Sequence, residues 1–466
     1  METSDLLNNI ARHPASYRDP SGYIFSHKGE IYRQVNQLFR HDFDLLMKRG
    51  AYHDFVKQGW LIAHEELESN LTGDNEWYKT LRPTRVPFIS YPWEWSFSML
   101  KDAALLTLDL AIRSLPYGLI LKDATPFNVQ WFNGRMVFID ILSFYKYNAT
   151  EPWVAYRQFC ESFLSPLLLM HYSKMPLQQL MLSYPEGIPL NLTSRLLPFR
   201  SRFHLPVFLH VHLQAKLAQR PAADNKAKMQ SFTLQKMQNV LESLRTLVNS
   251  LQLKEQQSTW INYYDEAANR DEYLPVKKTI INNWLQNLPE ARTVADLGAN
   301  EGEFTKLAAS LGKQTIAVDL DPFCIDRLYN RIKESGSDFI QPLVIDLANP
   351  SPPGGVNNEE FSSFTRRCNA DLLLALALIH HLCIGRNIPA REVAHFFSRL
   401  GRCLILEFVP PEDEKAALLL RQKTRLFPDY TRARVLAAFE EYFDLEKEEA
   451  ISNSGRLLWL LIKKKV

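Results

Sequence analysis

A short loop between a strand pattern and a helix pattern carries residues well suited to binding a ligand. It reads Asp296-Leu-Gly298-Ala-Asn300-Glu-Gly302. Glycines let the backbone approach a ligand closely, and the N-terminus of the following helix offers free amide donors and a positive dipole end. Asn300 stands where a third glycine would suit, because asparagine tolerates left-handed φ better than most residues. The loop predicts a ligand site, although a tight turn without a ligand would also favour glycine.

Acidic residues follow the next two apolar runs. Asp319 ends the second run, where a carboxylate can accept hydrogen bonds from ribose hydroxyls. Asp321 is the alternative for this role, but Asp319 is preferred because it directly follows the run. Asp346 and its apolar neighbour Leu347 follow the third run and could frame an adenine ring. Together these residues favour a nucleoside-containing ligand.

The fourth apolar run leads into Ala377-Leu-Ile-His380-His381. Open parallel sheets bind ligands at the carboxyl ends of their strands, so Ala377 is predicted to line the ligand site. Histidine titrates near neutral pH, and either His380 or His381 could remove a proton from an oxygen or nitrogen. Alternatively, one of them packs in the core and caps the following helix. Glu407, at the end of the fifth run, could bind substrate or cap the next turn.

Alternating apolar runs and helical patterns position these residues. The βαβ rhythm predicts an α/β fold with a doubly wound parallel sheet, and the last two runs, linked through 453–455, suit an antiparallel pair. The predicted strands are Thr293–Leu297, Gln314–Val318, Pro342–Ile345, Asp371–Ala375, Cys403–Phe408, Phe443–Glu449 and Arg456–Lys463. The predicted helices between them include Gly302–Leu311 and Ala390–Leu400.

The region from about Trp260 to Val466 resembles the class I S-adenosylmethionine-dependent methyltransferases. The string DLGANEG matches their first motif, while Asp319 and Asp346 match their acidic residues after the second and third strands. The resemblance implies a Rossmann-like seven-stranded sheet with an antiparallel end, and S-adenosylmethionine as cofactor. It also implies that the methionine moiety is lined by Asp296, Gly298 and Gly302.

Two other chemistries fit this region less well. A nicotinamide-dependent oxidoreductase would carry the pattern G-x-G-x-x-G, whereas this loop reads G-A-N-E-G. There is no Asn/Asp-Pro-Pro-aromatic string, so methylation of adenine N6 has no support. Methyl transfer therefore remains the leading hypothesis for the second half of the chain.

A second constellation lies in the first half. Asp123 and Asn128 precede an apolar hairpin with an Asn-Gly turn at 133–134, and Asp140 closes it. This order resembles kinase-like phosphotransferases, where the first Asp orients the acceptor hydroxyl while the Asn and second Asp hold magnesium on the nucleotide phosphates. Residues 18–215 thus resemble a reduced kinase-like α+β domain, which implies an ATP and magnesium site.

Several departures from that pattern weaken the case for phosphotransfer. Leu121 stands where the family has a histidine, and Ile141 stands where it has a glycine. The predicted hairpin 21–33 carries only Arg33 as a substitute for the usual lysine, and the two side chains differ in geometry. A hairpin with an Asn-Gly turn also needs no nucleotide. These departures favour a domain that binds substrate or a partner.

The chain has 466 residues, of which 46% are hydrophobic and 23% charged, as expected for two or three globular domains. The predicted division is a kinase-like α+β domain over 15–217, a linker and helix over 218–255, and a methyltransferase domain over 256–466. The linker begins with the polar stretch Ala218–Met229. Apolar residues spaced by three and four then predict a helix over Leu234–Val248.

Composition limits the partners. A net charge of +2 gives no electrostatic case for nucleic acid. No run approaches the roughly 20 apolar residues of a membrane span, so no membrane partner is expected. The five cysteines are scattered without a CxxC pair, which favours reduced thiols and a cytoplasmic location. No resident metal is predicted, and the oligomeric state is left open.

Three strings resemble a bacterial family of two-part methyltransferases with which nodulation host-specificity proteins are sometimes grouped. They are YPWEWSF at 91–97, DATPFN at 123–128 and ALALIHHL at 375–382. The resulting hypothesis is a methyltransferase acting on an unidentified acceptor, whose first domain contributes substrate or partner binding. The alternatives are a phosphotransferase using ATP and magnesium, and a protein that binds the cofactor without catalysis.

Overall fold

The computed structural model describes residues 10–218, 232–254, 273–421, 423, 430–451 and 454–465. The chain forms two compact units: Met1–Glu255 with Gly355–Phe361, here the first unit, and Gln256–Gly354 with Ser362–Val466, here the second unit. Most of the polar stretch 218–229, the predicted start of the methyltransferase domain at 256 and part of the turn 453–455 lie outside the described residues.

The first unit contains a five-stranded antiparallel sheet with the order β1-β2-β3-β5-β4. Its strands are β1 (Ala11–Arg12), β2 (Gly22–His27), β3 (Glu30–Asn36), β4 (His64–Leu67) and β5 (Trp77–Pro83). The predicted hairpin at 21–33 is confirmed as β2–β3. Its turn is made by Lys28 and Gly29, which both have positive φ.

Two short antiparallel pairs follow this sheet. They are formed by β6 (Leu119–Leu121) with β9 (Phe144–Lys146), and by β7 (Val129–Phe132) with β8 (Arg135–Phe138). The hairpin β7–β8 confirms the prediction from the Asn-Gly pair, since Asn133 has φ 49° and Gly134 has φ 72°. A two-residue turn with positive φ at both positions matches the twist of its flanking strands. The hairpin places Asn128 and Asp140 just outside its two ends.

Helices make up the rest of the first unit. They are α1 (Arg40–Lys48), α2 (Ala51–Lys57), α3 (Phe97–Ser114), α4 (Tyr156–Phe159), α5 (Ser165–Ser173), α6 (Leu180–Ser183), α7 (Leu190–Leu196), α8 (Leu205–Val207), α9 (Leu213–Leu217) and α10 (Leu234–Ser250). The predicted helix 234–248 is α10, and it packs along α3 rather than serving as a spacer. The Lys101 ammonium donates to the carbonyls of Asn249 and Leu251 at 2.8 and 2.9 Å.

Residues 355–361 complete the first unit although their neighbours in the chain belong to the second. The Phe361 ring stacks on Phe127 with centroids 5.1 Å apart, and it meets Trp93 edge-on at 5.3 Å. The carboxylate of Glu360 accepts hydrogen bonds from Arg18 Nε at 2.7 Å and from the Tyr17 hydroxyl at 3.0 Å. Nothing in the residues around 355–361 had indicated this packing.

The second unit is built on a seven-stranded sheet with the order β12-β11-β10-β13-β14-β16-β15. Five neighbouring strands are parallel, while β16 runs antiparallel to both β14 and β15. The strands are β10 (Thr293–Leu297), β11 (Gln314–Asp319), β12 (Ile340–Val344), β13 (Ala370–Ala375), β14 (Gly401–Phe408), β15 (Phe443–Ala450) and β16 (Leu457–Lys463). The predicted doubly wound α/β fold with an antiparallel end is confirmed.

Helices connect these strands and cover the sheet. They are α11 (Tyr273–Gln286), α12 (Glu303–Ser310), α13 (Pro322–Ser335), α14 (Phe364–Arg367), α15 (Ala390–Leu400), α16 (Glu414–Arg421) and α17 (Arg432–Glu440). The third strand starts two residues earlier and ends one residue earlier than predicted. It accommodates Pro342 because β12 is an edge strand. Ile281, Trp284, Val294 and Phe304 belong to the core cluster that joins α11 and α12 to the sheet.

Candidate functional site

The loop after β10 holds its backbone in conformations that favour glycine. Gly298, Asn300 and Gly302 have φ of 80°, 52° and 79°. The amides of Gly298 and Ala299 donate to the Val318 carbonyl at 2.8 and 2.9 Å, which ties the loop to β11. A Cβ atom on Gly302 would lie 2.7 Å from a Leu328 methyl group, so that glycine also provides close packing. The positive φ angles and the close packing therefore define the conformation of this loop at the carboxyl end of β10.

Asp296, the last polar residue of β10, is buried beneath this loop. Its Oδ2 atom accepts a hydrogen bond from the Thr305 hydroxyl at 2.6 Å. Burial, together with the nearby negative charge of Asp319, raises the pKa of Asp296 to about 6 despite that hydrogen bond and the positive charge of Lys277. The carboxyl group thus binds the first turn of α12, directly after the loop.

Asp319 ends β11 and is held by two backbone amides. Its Oδ2 accepts from the Asn300 amide at 2.7 Å, and its Oδ1 accepts from the Asp321 amide at 2.8 Å. Burial raises the pKa of Asp319 to about 6, and the nearby Asp321 adds to the effect. Each carboxylate oxygen retains acceptor capacity for a further donor, since an ionised carboxylate has about four lone-pair sites.

Asp321 has a different position from Asp319. It is the N-cap residue of α13, where its side chain accepts from the Phe323 amide at 2.9 Å. An N-cap carboxylate satisfies one of the free amides at the start of a helix. The local geometry thus gives Asp321 a structural task and leaves Asp319 facing the glycine loop.

Asp346 and Leu347 follow β12 at the same edge of the sheet. The Oδ1 of Asp346 accepts from the Ala348 amide at 2.9 Å, and its Oδ2 pairs with Arg386 at 3.1 Å. Leu347 is buried beside it. Arg386 was not predicted, because nothing in its local sequence indicates a partner forty positions earlier.

The segment after β13 brings a strained residue and two histidines to this edge. Ala377 has φ 51°, a left-handed conformation that costs a residue with a Cβ atom about 1 kcal/mol. The rings of His380 and His381 lie 4.0 Å apart. His380 is buried, and its Nδ1 has no hydrogen-bond partner in the described part of the chain.

Both histidines are neutral at physiological pH. Burial, with His381 and Arg456 nearby, lowers the pKa of His380 well below its usual value. Burial and the positive charges of Arg456 and Lys415 lower the pKa of His381 to about 4. Neither side chain caps the following π-helix His381–Gly385, which has no side-chain cap. The arrangement leaves both rings in the form that can accept a proton.

Glu407 has a role that the sequence did not indicate. It is fully buried at the end of β14, where it pairs with Lys277 at 2.6 Å and with Arg456 at 3.0 Å. It also accepts from the Tyr273 hydroxyl at 2.6 Å. Although burial alone would raise it, these partners lower the pKa of Glu407 to about 2. The oxygens of Glu407 thus take part in an internal ion-pair network, which neither expectation, substrate binding or capping of a turn, had included.

The same network includes a second carboxylate. Arg456 Nε donates to Asp413 Oδ2 at 2.9 Å, and both side chains are almost completely buried. The sequence contained one usable signal for this network: Lys277 stands on the buried face of α11. A lysine at such a position is rarely buried without a partner.

In the first unit, Asn128 and Asp140 are joined through Ser143. The Ser143 hydroxyl donates to Asp140 Oδ2 at 2.6 Å and accepts from Asn128 Nδ2 at 3.2 Å. Arg33 forms an ion pair with the other oxygen of Asp140. Burial would raise the pKa of Asp140, but the Arg33 charge and the Ser143 hydrogen bond hold it below the usual range.

Asp123 lies near this group with its Oδ1 buried and without a hydrogen-bond partner in the described residues. Burial and the negative charge of Asp140 raise the pKa of Asp123. The predicted residues are thus close together, but a guanidinium already neutralises the carboxylate expected to hold magnesium. Over the described ranges, no group of three or more His, Cys, Asp or Glu side chains could hold a metal ion. No described helix is long and apolar enough to cross a membrane.

The sheet order of the second unit, with a glycine loop after its first strand and acidic residues after the next two, defines a class I methyltransferase fold. No family model matches the chain. It is, however, 31% identical over 456 residues to nodulation protein NoeA of Rhizobium meliloti strain 1021, covering 95% of this chain and 94% of that protein. The chain therefore belongs to the NoeA family.

Two solved structures give more distant likenesses. Magnesium protoporphyrin IX methyltransferase (ChlM) from Synechocystis PCC 6803, with bound SAH, is 15% identical and covers 45% of this chain and 90% of its own, with a TM-score of 0.31. The bifunctional kinase-methyltransferase WbdD is 20% identical and covers 47% of this chain and 46% of its own, with a TM-score of 0.30.

Proposed function

We propose that the second unit is an S-adenosylmethionine-dependent methyltransferase. The observation that carries the proposal is Asp319, a partly buried carboxylate held by two backbone amides directly beside the glycine loop. Such a carboxylate can accept hydrogen bonds from both hydroxyls of a ribose. Asp346 and Leu347 would flank the adenine, and the backbone at Gly298–Gly302 and Ala377 would lie along the remainder of the cofactor.

The bound cofactor would supply a methyl group on a sulfonium centre, which an acceptor attacks in line. The protein's contribution is chiefly positioning, which can supply a large part of the rate of such a displacement. The Asn300 amide is held in the loop by Asp319, and His380 or His381, both neutral, would take a proton from an oxygen or nitrogen acceptor. Their lowered pKa values keep both rings neutral at pH 7 and also make them weak bases, so positioning of the acceptor remains the main contribution of the protein.

Asp319→Asn tests the cofactor site. The amide keeps the shape of the side chain but loses its charge and one acceptor position, so calorimetric affinity for S-adenosylmethionine should fall at least tenfold, the loss of about one hydrogen bond to a charged group. Asp444→Asn is the matched control, because Asp444 lies on the opposite edge strand β15 and is 71% exposed. Unchanged affinity of the Asp319 variant, or no binding by the wild type, would remove the proposal.

The methyl acceptor is the remaining unknown of this function. Incubating the full chain with cofactor labelled on its methyl group, in fractionated bacterial lysate, should transfer label to one fraction. Asp319→Asn should abolish that transfer, while Asp444→Asn should retain it. Cofactor that binds but is never consumed in any fraction would instead favour the non-catalytic alternative.

For the first unit we propose substrate or partner binding rather than phosphotransfer. The supporting observation is the ion pair between Arg33 and Asp140, which places a fixed positive charge where a kinase-like site needs magnesium. The Oδ1 of Asp123, which has no hydrogen-bond partner in the described residues, would accept a donor from a bound molecule. Calorimetry with ATP and magnesium should show no binding, and measurable binding that Asp140→Asn removes would restore the phosphotransferase alternative.

A further inference from the structure

An unusually exposed apolar surface lies in the first unit between α7 and α8. We call it the Phe199 surface and define it by four side chains with large exposed fractions: Leu196 (57%), Phe199 (68%), Phe203 (79%) and Leu205 (65%). Single exposed apolar residues are ordinary, but a cluster of four within ten positions is typical of an interaction site.

The backbone beneath this surface is firmly held. Phe199 and Phe203 start and end a 3-10 helix whose central residue, Ser201, is completely buried. The buried His212 ring forms hydrogen bonds of 2.8 Å with the hydroxyls of both Ser194 and Ser201. The exposed rings of Phe199 and Phe203 are 5.5 Å apart and meet edge to face. The surface is therefore a preformed feature and not the tip of a loosely packed turn.

The segment that forms this surface is rich in positive charge. Residues 187–218 contain Arg195, Arg200, Arg202 and Lys216 and no Asp or Glu. Arg202 lies over the Phe199 ring at 5.4 Å, and Arg200 lies over the Tyr172 ring at 5.8 Å. Within the described residues, neither arginine is paired with a carboxylate. A local excess of this kind contrasts with the chain as a whole, whose net charge is only +2.

We propose that the Phe199 surface docks the protein on an anionic lipid membrane. Apolar and aromatic side chains that protrude beside arginines can enter the region between headgroups and acyl chains, while the arginines bind lipid phosphates. The charge complementarity favours this occupant over a second copy of the chain, since a second copy would bring the same cations to the interface. The sequence had suggested no membrane partner, but that expectation addressed only spanning segments.

Vesicle co-sedimentation of the full chain tests the proposal. The protein should bind vesicles of equal parts phosphatidylcholine and phosphatidylglycerol, and bind phosphatidylcholine alone at least about tenfold more weakly, because the arginines contribute only with anionic lipid. The double change Phe199→Ser with Phe203→Ser should weaken binding to anionic vesicles at least about tenfold through lost apolar burial. The double change Arg200→Glu with Arg202→Glu should also weaken binding to anionic vesicles at least about tenfold. It should remove the dependence of that binding on salt concentration.

Leu38→Ser is the matched control, because Leu38 is 70% exposed in the same unit but lies outside the Phe199 surface. It should bind vesicles like the wild type, and circular dichroism should show that all variants fold. Failure of the wild type to bind anionic vesicles, or equal binding by the Phe199 and Phe203 double variant, would overturn the proposal. A molar mass by light scattering that is lower for the double variant than for the wild type would also overturn the proposal. That result would show that the Phe199 surface mediates self-association.

Discussion

Glu407 offers the sharpest test of how the second unit is held together. The change Glu407→Gln preserves the size of the side chain and removes its charge. Arg456 would keep Asp413 as a partner at 2.9 Å. Lys277, with a side chain only 3% exposed, would lose its carboxylate. The variant therefore removes the carboxylate that pairs with Lys277 and leaves Arg456 with Asp413.

The expected loss of stability can be bounded in two ways. Glu407 has a pKa of about 2 instead of 4.5, and a difference of that size corresponds to roughly 3 kcal/mol. Alternatively, the stranded Lys277 can shed its proton, which costs at most about 5 kcal/mol at pH 7 for a group with an ordinary pKa near 10.5. Both bounds agree with the 3–5 kcal/mol typical of breaking a buried ion pair.

Hydrogen exchange measured by mass spectrometry is the suitable assay, because it reports on each unit separately. Slowly exchanging amides of β14 and β16 should show an opening free energy about 3–5 kcal/mol lower in Glu407→Gln, while those of α3 should not change. The control is Glu441→Gln, which breaks an exposed ion pair with Arg391 and should change opening by less than about 1 kcal/mol.

The pH dependence of stability provides a second test of the same variant. Because the pKa of Glu407 is lower in the folded state, its stabilising effect is complete above the ordinary value near 4.5 and is lost as pH falls toward 2. The difference between wild type and Glu407→Gln should therefore shrink through that range. A variant within about 1 kcal/mol of wild type at pH 7, or a difference that grows in acid, would refute the reasoning.

Three further outcomes are expected. Asp321→Ala should lower the stability of the second unit by about 1 kcal/mol through loss of the α13 cap, with cofactor affinity by calorimetry unchanged; a loss of affinity equal to that of Asp319→Asn would contradict the separation of their roles. Asn300→Gly should be tolerated, whereas Asn300→Ala should cost about 1 kcal/mol in thermal or denaturant unfolding because φ is 52°. The ring of His381 should stay neutral down to about pH 5 and gain a proton near pH 4 in an NMR titration, because burial and nearby cations disfavour its charged form; a midpoint near 6.5 would contradict that environment.

Much of the second unit could be predicted because its signals are local. The predicted bounds of β10 match the observed ones, and the prediction for β11 omitted only its last residue, Asp319. These predictions succeed because strand and helix periodicities depend on residues that are neighbours in the sequence. Because the strands are parallel, the polar residues at their carboxyl ends lie on the same side of the sheet. That is why Asp296 and Asp319 could be singled out before their contacts were known.

The interactions that were missed join residues far apart in the chain. Tyr273, Lys277 and Arg456 meet Glu407 only after the sheet has formed, and none of their neighbours in sequence marks them as partners. In the first unit, the residues named by the motif do come together, yet the pairing of Arg33 with Asp140 changes what they can do. Spacing can locate a site, whereas its electrostatics depends on residues from elsewhere in the fold.

The packing of residues 355–361 bears on how this protein could be divided or recombined. A fragment ending at Glu255 would lack Phe361, leaving the rings of Trp93 and Phe127 without the partner they have in the intact chain. A gene fusion that exchanged the second unit for an unrelated methyltransferase would lose the same segment. Exchange of the two units as independent modules is thus disfavoured. Across the family, the two units are therefore expected to have been inherited together.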